Sequence, residues 1–101
     1  MTPEPLSLKE IEDRLAELPG WLVDDGLLSR TYRLGSHFAA AALVLHIAQT
    51  QEELNHHSDL TLGYNTVAVS VRTHDAGGAL TDLDFELARR VAALAPGHGA
   101  E

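Results

Sequence analysis

Four residues of this chain combine proton-handling side chains with positions at the ends of structural elements: His56, His57, His74 and Asp84. The first two stand side by side in ELNHHSDL, residues 53–60. Adjacent side chains on an extended backbone point in opposite directions. The pair is therefore incidental, a metal site, or two proton-handling groups at the end of a helix. Three histidines and a carboxylate would satisfy zinc or iron by count. Their spacing argues against a metal, because adjacent histidines chelate one ion poorly and neither H-x-x-x-H nor H-E-x-x-H occurs. Acid–base work fits better: imidazole titrates near neutral pH, so a cluster can deliver one proton and remove another. Asp84 would orient a neighbouring ring, or merely close the helix cap that Thr81 begins, and its two oxygens allow both. The bland alternative for each histidine is a surface position, which we adopt for His37, His46 and His98. Glu52, one turn before His56, reads as a solvated helix carboxylate, and Trp21 and Tyr64 read as core aromatics.

These residues need elements to hold them. After a loose leader with Pro3 and Pro5, Ser7-Leu8-Lys9-Glu10 has the form of a capping box, and Leu8, Ile11, Leu15 and Leu18 follow at helical spacing. A helix from about Leu8 to Leu18 is expected, stopped by Pro19-Gly20. Trp21–Asp24 and Leu27–Leu34 read as strands joined by the Asp25-Gly26 turn signal. A long helix follows, from about His37 to Asn55. Phe38, Ala41, Leu45 and Ala48 form one apolar stripe on it, while Ala40, Leu43, Val44 and Ile47 fill much of the remaining circumference. A helix apolar nearly all round needs partners on two sides, here a sheet and either another subunit or a third helix.

Thr61–Gly63 is a short strand or a loop. From Tyr64 to Thr73, Val67, Val69, Val71 and Thr73 alternate with polar or small residues, the period of a strand. A loop over residues 75–80 leads to a second capping-box pattern, Thr81 to Asp84, and a last helix through Leu83, Leu87, Val91 and Ala95. Residues 97–101 read as a mobile tail. The order predicts one α+β domain over residues 1–101: an antiparallel sheet with about three helices packed on one face.

Composition limits the function classes. The 101 residues are 45% hydrophobic, enough for one core. A net charge of -8 opposes direct binding to nucleic acid or an anionic membrane surface. With no cysteine there is no disulfide framework or zinc–thiolate site. The N-terminus lacks the pattern of a secretory signal, and the longest apolar run is too short to span a bilayer, so a cytoplasmic protein is expected.

The string EELNHHSDLTLGYNTVAVSVRTHDAGGALTDLDFELA resembles the pterin-4a-carbinolamine dehydratases, also called 4a-hydroxytetrahydrobiopterin dehydratases. That family carries a glutamate on the helix, His-His-Pro, Tyr-Asn-x-Val, Thr-His, a glycine and Thr-x-x-Asp. Here these features fall on Glu52, His56-His57, Tyr64–Val67, Thr73-His74, Gly78 and Thr81–Asp84, with Leu18–Trp21, Arg30 and Phe38 matching upstream. Ser58 stands where the family usually has proline, and the loop between Gly78 and Asp84 is one residue longer, near Ala79. A freer histidine loop and a shifted Asp84 are the expected consequences.

The resemblance implies a hydro-lyase of tetrahydrobiopterin recycling. It would convert 4a-hydroxytetrahydropterin to quinonoid dihydropterin and water, with no metal and no organic cofactor. It implies His56, His57, His74 and Asp84 as the catalytic set. Glu52, His56, His57, Ser58, Thr73, His74, Asp75 and Ala76 would edge the substrate. It further implies a homodimer or homotetramer and a link to an aromatic amino-acid hydroxylase. The alternative is a dehydratase-like domain that has become a non-catalytic binding or dimerisation module.

Overall fold

The computed structural model describes residues 3–101, so Met1 and Thr2 of the expected leader lie outside the described residues. Helix α1 spans Leu8–Leu15, hairpin strands β1 and β2 span Leu22–Asp24 and Leu27–Arg33, and the long helix α2 spans His37–Leu54. Strands β3 and β4 follow at Asp59–Leu62 and Thr66–Val71, and helix α3 occupies Asp82–Leu94. The strands form one antiparallel sheet in the order β1-β2-β4-β3. This is an α+β, two-layer arrangement, as the element order predicts.

Local chemistry accounts for the boundaries. Ser7 Oγ accepts from the Glu10 amide and Glu10 Oε1 accepts from the Ser7 amide, so α1 starts on a reciprocal cap. It ends a turn earlier than expected, at Leu15, and Leu18 instead reaches the core from the following turns, where it is buried. Asp25 and Gly26 both take positive φ, 52° and 77°, which matches the twist of the flanking strands in a two-residue hairpin. Asn55 closes α2 in the left-handed conformation, φ 51°, its amide donating back to the last turn.

The core lies between the sheet and the helices. Val67, Val69 and Val71 of β4 alternate inward, paired across to Tyr32, Arg30 and Leu28 of β2. Ala40, Leu43 and Ile47 of α2 and Phe85, Leu87, Ala88 and Val91 of α3 complete it. Ile11 and Leu15 of α1 pack against its edge, and Arg14 Nε meets Asp82 Oδ1 at 2.8 Å, tying α1 to the start of α3. Phe38 and Leu45 of α2 remain 84% and 74% exposed, so α3 does not cover the outer stripe. Among the described residues no helix is long and apolar enough to cross a membrane.

Three further sequence expectations change. The β4 strand is shorter than expected, because Gly63–Asn65 serve as the β3–β4 connection, closed by the Gly63 amide on the Thr66 carbonyl. Tyr64, on that connection, points outward and is 79% exposed, not core; its ring stacks on His37. The C-terminal segment is docked: Arg33 and Glu101 exchange backbone hydrogen bonds at 3.0 and 2.9 Å, and His98 Nε2 lies 2.8 Å from His46 Nδ1.

Candidate active site

The site forms where three element ends converge. The end of α2 delivers Asn55, His56 and His57, the segment after β4 delivers Arg72, Thr73, His74 and Asp75, and the first turn of α3 delivers Leu83. Together they line a cleft of about 240 Å³. His74 begins a one-turn 3-10 helix, His74–Ala76, ended by Gly77 in the left-handed conformation, φ 70°. The loop then folds back on Thr73, whose carbonyl accepts from the Gly78 amide and whose amide donates to Ala79. Asp84 lies against Thr73, whose hydroxyl donates to it.

Beneath the cleft floor lies a buried polar chain. His56 Nε2 is 2.7 Å from Asp84 Oδ1. Asp84, with 0% exposure, accepts on Oδ2 from the Thr73 hydroxyl at 2.8 Å and from the Thr81 amide at 2.9 Å. A carboxylate only accepts, so the Thr73 hydroxyl proton is committed to Asp84. The 2.6 Å contact between Thr73 and Thr81 hydroxyls must then be a donation from Thr81, whose oxygen accepts from the Leu83 amide. Every hydroxyl and carboxylate oxygen in this chain has a partner, the condition under which a buried network is stable and specifies one geometry.

The arrangement sets one tautomer. Asp84 offers only lone pairs, so the proton of a neutral His56 ring belongs on Nε2, leaving Nδ1 as a base. Asp84 itself is sealed from solvent, and the ring it contacts is that of His56. His57 is half exposed at the rim, with Nε2 3.9 Å from Glu52 Oε1; a pair this open contributes little. The cleft thus holds three imidazoles, one of them locked.

Of the residues expected to edge a ligand, His56, His57, Thr73, His74 and Asp75 line the cleft, whereas Glu52, Ser58 and Ala76 do not. Sequence reasoning missed Arg72, a basic residue of the lining, and Leu83, its apolar one. It also missed Gln51, whose side-chain oxygen takes the Ser58 amide at 3.0 Å and the Ser58 hydroxyl. The available signal was register: a polar Gln51 continues the buried stripe of Leu43 and Ile47. A larger hollow of about 510 Å³ shares Leu83 with the cleft and runs between the N-terminal segment and Asp82. No imidazole lines it, and two of its carboxylates, Glu10 and Asp82, are engaged by Ser7 and Arg14. The smaller cleft is the one equipped for proton transfer.

Comparison with known proteins identifies the family. The sequence profile described as "Pterin 4 alpha carbinolamine dehydratase" matches residues 4–94. The chain belongs to that family. A Streptomyces avermitilis protein named "Putative pterin-4-alpha-carbinolamine dehydratase" is 73% identical over 100 residues, covering 99% of each chain. A Streptomyces coelicolor protein of the same name is 70% identical, also covering 99% of each. Among solved structures, a "transcriptional coactivator/pterin dehydratase" from Brucella melitensis superposes with a TM-score of 0.84 at 28% identity, covering 90% of this chain and 98% of that one. A "pterin dehydratase-like protein" described as a RuBisCO assembly factor shares the fold, with a TM-score of 0.59 at 21% identity over 73% of this chain and 84% of that one.

Proposed function

We propose that this protein is a hydro-lyase that converts a 4a-hydroxytetrahydropterin to quinonoid dihydropterin and water, using histidines as acid and base. The observation that carries the reading is the His56–Asp84 pair at 2.7 Å, set in a cleft rimmed by His57 and His74. Membership of the family supports the substrate class.

The reaction needs two proton movements and no change of oxidation state. An acid protonates the hydroxyl on C4a, the C4a–O bond breaks, and water departs with its electron pair. The lone pair on N5 forms the C4a=N5 double bond, and a base takes the N5 proton. His56, held by Asp84 with Nδ1 available, has the orientation a base or acid requires, since proton transfer needs hydrogen-bond reach before a suitable pKa. His57 and His74 face the same space and share the remaining acid and contact roles. The backbone of Thr73 to Asp75 edges the pterin. Neither a metal nor an organic cofactor enters any of these steps. The substrate would arise where an aromatic amino-acid hydroxylase consumes tetrahydropterin, in the cytoplasm.

The exposed Phe38 and Leu45 on α2 support a homodimer or homotetramer built on that helix, because an isolated apolar stripe of this kind favours self-association. The test of function is the loss of 4a-hydroxytetrahydropterin, generated in place by a hydroxylase, with wild type, His57→Ala and His74→Ala. Acceleration over the spontaneous reaction that falls by about 10²-fold or more in each variant is expected for lost acid–base groups. Acceleration unchanged in both variants would remove these histidines from the mechanism.

A further inference from the structure

We propose that Gln51 is a positioning residue for the histidine loop, clamping it through Ser58. Gln51 lies on the buried side of α2, 5% exposed, where Leu43 and Ile47 precede it. An amide oxygen there is costly unless it accepts hydrogen bonds. Both of its bonds come from one residue across the loop: the Ser58 amide at 3.0 Å and the Ser58 hydroxyl.

The backbone of the same residue holds the other end of the loop. The Gln51 carbonyl accepts from the His56 amide at 3.1 Å and from the amide of Asn55, the left-handed cap. Gln51 therefore brackets the two histidines, His56 by its carbonyl and the residue after His57 by its side chain. His56 has a second restraint in Asp84, but His57 has only the open approach of Glu52 at 3.9 Å. The clamp is thus the main determinant of where the His57 ring sits. Displacement of a catalytic group by about 1 Å costs rate steeply, so losing the clamp acts on turnover more than on stability.

This inference rests on the dehydratase reading of the same cleft, and the test separates the two. Gln51→Leu keeps the buried volume and removes the acceptor; Ser58→Thr keeps both donors. In Gln51→Leu, kcat for 4a-hydroxytetrahydropterin is expected to fall about 10-fold while KM stays within about threefold, with Ser58→Thr close to wild type in both. Amide hydrogen exchange at Ser58 supplies a readout independent of activity: it should be protected in wild type and about 10-fold faster in Gln51→Leu. Rapid exchange at Ser58 in wild type would overturn the clamp whatever the protein catalyses. Gln51→Leu with a lowered melting temperature and an unchanged kcat would reduce Gln51 to a structural role and overturn the proposal. A wild-type protein without dehydratase activity but with a protected Ser58 amide would refute the function and with it the positioning role, leaving the hydrogen bonds alone.

Discussion

His56 and Asp84 are 28 residues apart in the chain, on the ends of two different helices, and meet at 2.7 Å between His56 Nε2 and Asp84 Oδ1. The meeting follows from a helix cap. Asp84 is the third residue of α3, and its Oδ2 closes a capping box with the Thr81 amide, which fixes the carboxylate independently of His56. The remaining oxygen is free to take His56 from the end of α2. A local device that starts a helix thereby also sets a ring in the cleft.

Thr73 underlies this relationship, and Thr73→Val tests it. The substitution keeps shape but removes a donor to Asp84 and leaves the Thr81 hydroxyl without its acceptor. Unfolding in urea should show a loss of about 1–3 kcal/mol, the cost of buried polar groups left unpaired. An unchanged midpoint would mean that the Thr73 hydroxyl adds nothing net to the stability of the buried chain.

The cap of α1 gives a pH signature. Glu10 is held below the usual carboxylate range, first by the Ser7 amide and then by the Ser7 hydroxyl. The folded form therefore favours the carboxylate, and the stability it adds is present at neutral pH and lost as pH falls through the lowered value. Ser7→Ala should cost about 1 kcal/mol at neutral pH, typical of an N-cap, while most of the loss of stability in acid should persist in the variant, because the Ser7 amide that does most to lower Glu10 is retained. Helicity and thermal melts at neutral and acidic pH read both effects.

Tyr32 gives the opposite signature. Burial pushes its phenol above the ordinary value, with the Arg30 guanidinium, 4.3 Å from the ring centroid, pulling the other way. The folded state thus holds the phenolic proton more tightly than the unfolded chain, so stability falls as pH rises from the ordinary phenol value upward. Its hydroxyl makes no well-formed hydrogen bond among the described residues, and the Trp21 side chain lowers the phenol only as the smallest of the three influences. Tyr32→Phe should therefore be as stable as wild type or up to about 1 kcal/mol more stable at neutral pH, and its alkaline unfolding should begin later. Chemical denaturation from neutral to alkaline pH measures this.

The outer stripe of α2 predicts the assembly. Phe38→Glu with Leu45→Glu alters side chains that the single chain leaves 84% and 74% exposed, so the monomer fold should persist. Sedimentation should show an oligomer for wild type and a monomer for the double variant. Identical sedimentation would place any subunit contact elsewhere.

The parts legible in the sequence were those written in local patterns. The Val67, Val69 and Val71 alternation, the two capping boxes and the Asp25-Gly26 turn each determine their element within a few residues. The capping role of Asp84 was readable for the same reason, whereas its contact with His56 depends on how two helix ends approach. Tyr64 deceived because an aromatic beside a strong strand looks like core, yet the chain turns there. The docked C-terminal segment left no pattern, since one backbone pair, Arg33 with Glu101, imposes no side-chain periodicity. Gln51 was hidden among its polar neighbours Gln49, Thr50 and Glu52, and only its register on the buried stripe marked it.

The most direct measurement is the rate of loss of 4a-hydroxytetrahydropterin with wild type and Asp84→Asn in parallel, both verified as folded. Asparagine keeps the size of Asp84 but presents an amide where His56 needs a pure acceptor. The account predicts acceleration well above the spontaneous rate for wild type and a drop of about 10²-fold or more in the variant, as expected when a carboxylate no longer sets the tautomer of a catalytic imidazole. Wild type no faster than the spontaneous reaction, or a folded Asp84→Asn within about twofold of wild type, a difference too small for a lost tautomer, would contradict it.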